Sequence, residues 1–288
     1  MIDVLVLNYN DALTTIQFVE SVKNYNIIRK ILVVDNHSSD DSLKRLSCLE
    51  NDKVIVKQTK KNSGYGAGNN FGIHYLYKNF ASKYILLCNP DVVVDENTCN
   101  RLRNFLEDNR EYAIASPFML DKKGKKQINT AFRIPSKWEC ILSLDMLLKK
   151  FTKTFYYENI ENDFFVVKDV GAVSGSMFMM RTEDMVAYGM FDENIFLYCE
   201  EMVLGLKMQK AHKKIALLTD SSFIHNHSVS INKTYKSIVS KRKIFLKSRL
   251  YVIKNFYHTN IAEYFIAFIL SKISIIECFF ISLFWNKR

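Results

Sequence analysis

The sequence predicts an α/β fold in which a doubly wound, mostly parallel sheet is followed by C-terminal helices. Short apolar runs rich in β-branched residues alternate with segments of helical spacing over the first third of the chain. Such alternation produces parallel strands with helices on both faces of the sheet. The 288-residue chain has only three prolines and no Pro-rich or Gly-rich linker. We therefore expect one large domain over residues 1–230 and an appended helical segment over residues 231–288.

Four apolar runs predict the strands of this sheet. Ile2–Leu7 is continuous and too short for a helix, which is typical of a parallel strand buried on both faces. Ligands of such sheets bind beyond the carboxyl ends of the strands, so polar residues at those ends are the first candidates for a site. The later strands are predicted at Ile31–Val34, Val54–Val56 and Tyr84–Cys88, with helices at about residues 12–25, 39–49 and 65–80.

The second half of the chain has a less regular pattern. It predicts short β-like runs, one longer strand and one helix, followed by two helices after Lys233, of which the last is very apolar. The predicted ranges are 112–116, 164–167, 170–180, 200–210 and, for the last helix, 261–285.

Charge is distributed unevenly along the chain. The formal net charge is +10, and no Asp or Glu occurs from Ser221 to Ala262. A localised basic block of this kind attracts the phosphates of nucleic acid or of anionic lipid. Its cations are Lys233, Lys236, Lys241, Arg242, Lys243, Lys247, Arg249 and Lys254.

The cysteine pattern and the N-terminal sequence indicate the cellular compartment of the protein. None of the six cysteines forms a CxxC pair or a zinc-ligand pattern. The chain begins with a strand pattern and not with a signal peptide. We therefore expect a cytoplasmic protein in a reducing environment.

Two aspartates end predicted strands. Asp91 follows a strand and Pro90, which holds the carboxylate in a tight turn. Such a carboxylate suits Mg²⁺ or Mn²⁺, completed by substrate phosphates and water. Asp35 is placed to accept a hydrogen bond from a nucleobase edge. The local alternatives are an Asx turn or helix cap for Asp91 and a cap of the next turn for Asp35, where Asp40 is the better cap.

Three glycines alternate in the loop from Asn62 to Asn70. A dinucleotide-binding fingerprint has similar glycines, but it belongs after the first strand. There the chain has Asn8-Tyr9-Asn10-Asp11, with no glycine. The loop is therefore a weak phosphate cradle and a better candidate for backbone that lies close to a ligand. A nicotinamide-dependent oxidoreductase is disfavoured for the same reason.

Adjacent carboxylates, Glu200 and Glu201, begin a predicted helix. The helix dipole favours the ionised form that a general base needs, although acidic residues are favoured in any first turn. His225 and His227 follow an apolar strand run. A lone histidine is more often structural, but a pair near a predicted metal site favours ligation.

Taken in order, the motifs VVDNHSSDDS, NSGYGAGNNFGI, NPDV and FDENIFLYCEE resemble those of the family-2 inverting glycosyltransferases of GT-A fold, in particular bacterial rhamnosyltransferase-like members. The resemblance extends from Leu7 to about Ser230. It implies transfer of a sugar from a nucleotide diphosphate to a hydroxyl of a glycan or lipid-linked glycan, in cell-surface polysaccharide synthesis. The first donor it implies is dTDP-rhamnose, and a UDP-hexose or UDP-galactofuranose is the alternative.

The resemblance also implies a role for each matched residue on the donor side. Asp91 matches the last aspartate of the family's DxD motif, and Asn89 stands in place of the first. His225 matches a histidine that supplies a further contact to Mg²⁺ or Mn²⁺. The nucleotide-binding residues are Asn8, Asn10, Asp35, Asn62, Gly66, Asn70 and Asn89, with Asp35 on the pyrimidine base.

On the acceptor side, Glu201 matches the general base of the family, which removes the proton of the attacking hydroxyl. The usual base is aspartate, and the family's next acidic position is Val203 here, so Glu200 is kept as the alternative base. The implied reaction is a direct displacement that inverts the anomeric configuration without a covalent intermediate.

The apolar C-terminal segment is long enough to span a bilayer, but Glu263, Lys272 and Glu277 interrupt it. Helical spacing groups its polar residues on one arc, with Lys272 opposite. We expect an in-plane amphipathic helix that docks the protein peripherally on an anionic cytoplasmic leaflet together with the basic block. The alternatives are packing on the catalytic domain and a homodimer interface.

The basic block also suggests a rival of another class, a nucleic-acid-binding protein. No nucleic-acid-binding motif accompanies the block, and its lysines alternate mainly with aliphatic residues. We therefore expect no nucleic-acid partner.

Overall fold

A computed structural model describes residues 1–157, 166–226 and 237–285 of the protein. These described residues form a nine-stranded central sheet covered by helices, and a separate two-stranded sheet. The predicted α/β class is confirmed. The predicted boundary between residues 230 and 231 lies outside the described residues, as does His227. The division into two parts therefore stays a prediction.

The elements have the following bounds. The strands are β1 (Ile2–Asn8), β2 (Ile28–Asp35), β3 (Val54–Gln58), β4 (Tyr84–Cys88), β5 (Val92–Val93), β6 (Tyr112–Leu120), β7 (Ala131–Phe132), β8 (Val167–Val170), β9 (Ala172–Val173), β10 (Met177–Arg181) and β11 (Lys214–His225). The α-helices are α1 (Ala12–Val22), α2 (Ser42–Ser47), α3 (Tyr65–Phe80), α4 (Glu96–Asp108), α5 (Lys137–Leu142), α6 (Thr182–Asp184), α7 (Glu200–Lys210), α8 (Ile238–Phe256) and α9 (Ile261–Trp285).

The order of strands in the central sheet is β3-β2-β1-β4-β10-β6-β11-β5, and β8 also pairs with β11. Strands β3, β2, β1 and β4 are parallel, as the alternation of strands and helices predicts. Strand β10 is antiparallel to both of its neighbours. Asn8 is in register with Asp35, so the carboxyl ends of β1 and β2 are level. This edge is where the sequence predicts the site.

The single strand predicted over residues 170–180 is wrong. The segment is divided among the end of β8, the short β9 and β10, with a three-residue break at Ser174–Ser176. In the break, the Ser174 and Ser176 hydroxyls lie 2.9 Å apart and Ser176 N donates to Ser174 Oγ. Serine side chains compete in this way for backbone groups that would otherwise join a strand ladder.

Apolar side chains fill both faces of the sheet. In β1, Val4 and Val6 pack on one side and Leu5 on the other, as the two-residue period of a strand requires. A third cluster joins α5, α7, α8 and α9, and it includes Met202 and Leu270. The two C-terminal helices are therefore packed against the helix that begins with Glu200 and Glu201.

Candidate active site

The carboxyl ends of β1 and β2 carry a polar cluster around Asp35. The fully buried Asp35 carboxylate accepts hydrogen bonds from Asn8 Nδ2 at 2.9 Å and from the Ser38 backbone N and Oγ at 3.1 and 2.5 Å. It also accepts from Gln58 Nε2 at 3.0 Å. Gln58 is exposed, so its amide closes the carboxylate from the solvent side. Asp35 thus accepts four hydrogen bonds, one of which comes from an exposed side chain.

Two further predicted nucleotide residues lie in the loops beside this cluster. Asn10 has a left-handed backbone with φ of 54°, and its N–H donates to Ser38 Oγ at 2.9 Å. Asn62 Oδ1 accepts from Asn36 Nδ2 at 3.1 Å and from Gly64 N at 3.0 Å. The loops after β1, β2 and β3 are therefore tied to one another at a single edge.

The glycine-rich segment and Asn70 hold another loop in place. A Cβ atom on Gly66 would lie 2.8 Å from Phe191 Cβ, so α3 approaches that loop closely. Asn70 Oδ1 accepts from Phe191 N, and its Nδ2 donates to Phe191 O and to Glu193 Oε1, at 2.9 to 3.0 Å. Both residues position the chain that leads into α7, and their contact with a nucleotide stays a prediction.

Asp91 and His225 lie side by side. His225 Nε2 is 3.1 Å from Asp91 Oδ1, and both side chains are mostly buried. Pairing of β5 with the end of β11 brings them together, because His225 is in register with Val92 and Asn226 N donates to Asp91 O. The cap of the next helix is Asp95, which accepts from Thr98 N. Asp91 is therefore not used as a helix cap.

Glu201 meets the strand break at Ser174–Ser176. Its Oε1 accepts a hydrogen bond from Gly175 N at 3.1 Å, and the buried Tyr65 hydroxyl donates to Gly175 O at 2.6 Å. The next residue, Ser176, accepts at its carbonyl from Asn89 N at 2.8 Å. Two consecutive residues of one loop therefore contact the predicted base and the predicted metal-binding turn.

The two adjacent glutamates have different surroundings. Glu200 is buried, and its Oε1 makes no hydrogen bond within the described part of the chain. Burial raises the pKa of Glu200 well above its ordinary value, and the neighbouring Glu201 adds to the effect. Burial also raises the pKa of Glu201, opposed by hydrogen bonds from backbone N–H groups that include that of Gly175. Glu201 is the half-buried one of the pair and the one whose carboxylate has a fixed donor.

The backbone before α7 is strained. Tyr198 and Cys199 both have left-handed conformations, with φ of 71° and 73°. Residues other than glycine adopt this region at a cost, and such residues concentrate at functional sites. The sequence did not predict this strain, nor the parts played by Gly175, Ser176 and Tyr65. The one available signal was the Ser-Gly-Ser sequence inside an apolar run.

Comparison with known proteins identifies the family. Residues 3–186 match the family described as glycosyl transferase family 2. The chain belongs to that family.

This family 2 glycosyltransferase has curated relatives at low identity. It is 23% identical over 254 residues to the low-salt glycan biosynthesis hexosyltransferase Agl10 of Haloferax volcanii, covering 86% of this chain and 75% of the relative. It is 25% identical over 214 residues to rhamnosyltransferase WbbL of Escherichia coli, covering 69% of this chain and 78% of the relative.

Solved structures establish the fold. GalNAc-T7 with UDP, GalNAc and Mn²⁺ superposes with a TM-score of 0.61 at 15% identity, over 79% of this chain and 43% of that one. The mannosyltransferase PcManGT of Pyrobaculum calidifontis, with GDP-Man and Mn²⁺, gives a TM-score of 0.57 at 10% identity, over 95% and 69%. The family 2 glycosyltransferase thus has the GT-A fold.

Proposed function

We propose that the protein is an inverting glycosyltransferase that moves a sugar from a nucleotide diphosphate to an acceptor hydroxyl. The observation that carries the proposal is the contact of Gly175 with Glu201 and of Ser176 with Asn89, because it fixes an acceptor-side base relative to a donor-side turn. The donor we propose first is dTDP-rhamnose, supported by similarity to a rhamnosyltransferase. The alternative is hexosyl or galactofuranosyl transfer from a UDP-sugar, supported for hexose by similarity to a hexosyltransferase.

The nucleoside is proposed to bind at the polar cluster around Asp35. A pyrimidine base presents an N–H donor, and the exposed Gln58 amide occupies the solvent side of the Asp35 carboxylate. Replacement of that amide by the base would keep the carboxylate hydrogen-bonded, so binding would leave no buried charge without a partner. Asn8 and Ser38 hold the carboxylate in the same position throughout.

Asp91 and His225 form the proposed divalent metal site. The described residues contain no group of three or more His, Cys, Asp or Glu that could enclose a metal ion. An oxygen and a nitrogen donor 3.1 Å apart nevertheless fit an Mg²⁺ or Mn²⁺ site that is completed by substrate phosphates and water. A divalent ion held there would neutralise charge on the leaving diphosphate.

Glu201 is the proposed general base. Its carboxylate takes the proton of the acceptor hydroxyl while that oxygen bonds to the anomeric carbon and the diphosphate leaves. The Gly175 N–H orients the carboxylate and favours its ionised form. Glu200 is a poorer candidate, because its buried carboxyl has a strongly raised pKa and favours the protonated form.

The acceptor is proposed to be a glycan or a lipid-linked glycan used in cell-surface polysaccharide synthesis. The protein would then work in the cytoplasm as a peripheral enzyme on the inner face of the membrane. The helix that would serve this attachment, Ile261–Leu283, has the length and apolarity of a membrane helix, with a mean hydropathy of 2.1.

The experiment that tests the function is a thermal-shift screen of nucleotide sugars with Mg²⁺ or Mn²⁺, followed by transfer or donor-hydrolysis assays with the best donor. Glu201→Gln should leave donor binding nearly intact and lower turnover by ~10²–10⁴-fold, the usual contribution of a general base. Glu200→Gln is the matched control and should have a smaller effect. The reverse ranking would move the base to Glu200, and the absence of any nucleotide-dependent shift would refute the proposal.

A further inference from the structure

Helix α9 faces the protein with its small and polar side chains and faces outward with its large apolar ones. A helix on the surface of a soluble protein has the opposite arrangement. The buried stripe consists of Ala267, Leu270, Ser271, Ser274 and Cys278. The outward residues, from 40% to 91% exposed, are Ile261, Phe265, Ile266, Phe268, Ile269, Ile273, Ile276, Phe279, Phe280, Ile281 and Leu283.

Specific polar contacts fix this orientation. Glu263 forms an ion pair with Lys137 of α5 at 2.5 Å. Ser274 Oγ accepts from Arg242 Nε and Nη2 at 3.0 and 2.6 Å. The sequence predicts a polar arc on this helix, and in the structure Ser271 and Ser274 of that arc are buried while Glu263 and Glu277 bind other parts of the protein. Rotation of the apolar face inward would break these contacts and leave Lys137 and Arg242 facing apolar side chains.

A second apolar segment adjoins α9. Met146 N donates to Glu277 Oε2 at 3.0 Å, which joins residues 146–151 to the helix. Within this segment, Leu147 is 62% exposed and Phe151 84%. Exposed lysines border these two side chains at positions 149, 150 and 153. The outward residues of α9 and the segment 146–151 are together called the apolar surface.

Charge distinguishes the possible occupants of the apolar surface. Lys272 is the charged residue on the outward side of α9, where its Nζ lies 4.8 Å from the Phe268 ring centroid. Both acidic residues among the described side chains of α9, Glu263 and Glu277, are engaged with the protein. A second copy of the same face would bring another lysine and no carboxylate. Anionic lipid would supply the missing negative charge.

The composition of the apolar surface agrees with lipid. The large outward side chains of α9 are isoleucine, phenylalanine and leucine, apart from Lys272. Protein interfaces share the phenylalanine but are also enriched in tyrosine, tryptophan, methionine and arginine, and none of these four is among the outward residues named above. Lysines beside apolar side chains can extend their ammonium groups to lipid phosphates while their stems stay in the apolar layer.

We propose that the apolar surface binds the interface of an anionic membrane, with α9 lying in the membrane plane. A membrane-spanning arrangement is disfavoured, because α9 would have to leave the contacts with Lys137 and Arg242. The inference deepens the proposed function and rests on it for its purpose, since a lipid-linked acceptor would be presented at such an interface.

The arrangement also reduces the role of the basic block. Arg242 is bound to Ser274 and to Leu144 O, and Arg249 is buried between the Phe155 and Phe245 rings. These two cations are therefore not available to lipid. Further positive charge at the membrane would come from the exposed lysines at positions 149, 150 and 153 that border the apolar surface, which the sequence did not single out.

The test uses the full chain in co-sedimentation with vesicles of phosphatidylcholine alone and of phosphatidylcholine with phosphatidylglycerol. The outward variant replaces half-exposed side chains of α9, and the control variant replaces similarly exposed side chains elsewhere. The outward variant is Phe265→Gln/Ile276→Gln/Phe279→Gln, and the control is Leu13→Gln/Ile128→Gln/Tyr188→Gln.

We expect the wild type and the control to bind anionic vesicles more tightly than neutral ones. The outward variant should partition into the vesicles at least ~10-fold less than the wild type, because each large apolar side chain that is buried in lipid contributes strongly to the free energy of membrane binding. Lys272→Glu should lower the preference for anionic lipid. All variants should keep the thermal shift given by the nucleotide sugar, which checks folding and the proposed function separately from membrane binding.

Two outcomes would overturn the inference. Equal and negligible binding to both vesicle types would exclude lipid as the occupant. A concentration-dependent dimer in light scattering, abolished in the outward variant and insensitive to vesicles, would assign the apolar surface to a second copy of the chain. Loss of the nucleotide thermal shift in the wild type would instead refute the proposed function and leave the vesicle result standing.

Discussion

Gly64 lies where no other residue fits, and its replacement gives the sharpest test of the site's architecture. Its backbone has φ of 102° and ψ of 177°, a region that is essentially restricted to glycine. A Cβ atom there would lie 2.2 Å from the carbonyl oxygen of Phe196. That same oxygen accepts a hydrogen bond from Tyr65 N at 3.1 Å.

The cost of Gly64→Ala follows from these contacts. The backbone conformation alone costs about 1–3 kcal/mol for a residue with a side chain. Displacement of the Phe196 carbonyl also loses the hydrogen bond from Tyr65, worth about 0.5–1.5 kcal/mol. We expect a loss of about 2–4 kcal/mol, which for a chain of this size corresponds to a fall in Tm of roughly 5–15 °C.

Gly124→Ala is the matched control. Gly124 also has positive φ, of 76°, but nothing lies within 4 Å of its Cβ position. This variant should lose only about 1 kcal/mol from conformational strain. Thermal and urea denaturation measure both variants. Equal losses of unfolding free energy in the two variants would show that the loop at Phe196 moves aside freely. The close packing around the site would then not be rigid. Because that loop leads into α7, Gly64→Ala should also lower donor turnover at temperatures where it stays folded.

Further predictions concern the charged residues of the site and the hydrogen bonds by which Asn70 holds the loop at Phe191. Asp91→Asn should keep the fold but lower turnover by orders of magnitude at limiting metal, measured by metal titration; wild-type turnover there would remove Asp91 from the metal site. Turnover should decline as pH falls through the raised pKa of Glu201, because the base must be ionised; a pH–rate profile measures this, and Glu201→Gln should lack it. Protonated Glu200 favours the folded state, so stability should fall as pH rises through its raised pKa, and Glu200→Gln should flatten the dependence of Tm on pH. Asn70→Ala removes three hydrogen bonds, two of them buried, and should cost about 2–4 kcal/mol, against less than about 0.5 kcal/mol for the exposed Asn79→Ala, both measured by denaturation.

The sequence predicted the parts of the molecule that local patterns determine. The parallel half of the sheet, α3 and α7 follow from hydrophobic period and loop residues. The preference for Asp40 as the cap is not confirmed: Asp40 Oδ1 accepts from Ser42 N, but the N-cap of α2 is Asp41, and Asp35 itself accepts from Ser38 N. Contacts across long sequence separations were not predictable. Asn70 binds a loop 121 residues away, and Tyr65 binds Gly175 at a separation of 110 residues, and no local pattern specifies either partner.

Helix α9 shows a second limit of sequence patterns. Its spacing gives a polar arc and an apolar arc, but periodicity does not say which arc contacts the protein. The orientation of α9 is fixed by residues elsewhere in the chain that bind its polar arc, such as Lys137 and Arg242. The same holds for Arg249, which looks like surface charge in the sequence and is buried in the structure.

The break at Ser174–Ser176 constrains how the length of the chain can change. It joins Asn89 and Glu201 through neighbouring residues, so one inserted residue would shift at least one of the two contacts by about 3.3 Å, the rise of a strand residue. Selection should therefore eliminate insertions and deletions at this break, because each would displace Asn89 or Glu201. The exposed turn at Asp121–Lys126, which is closed by its own hydrogen bonds, can change length without moving either group. Designed fusions or inserted tags belong in that turn.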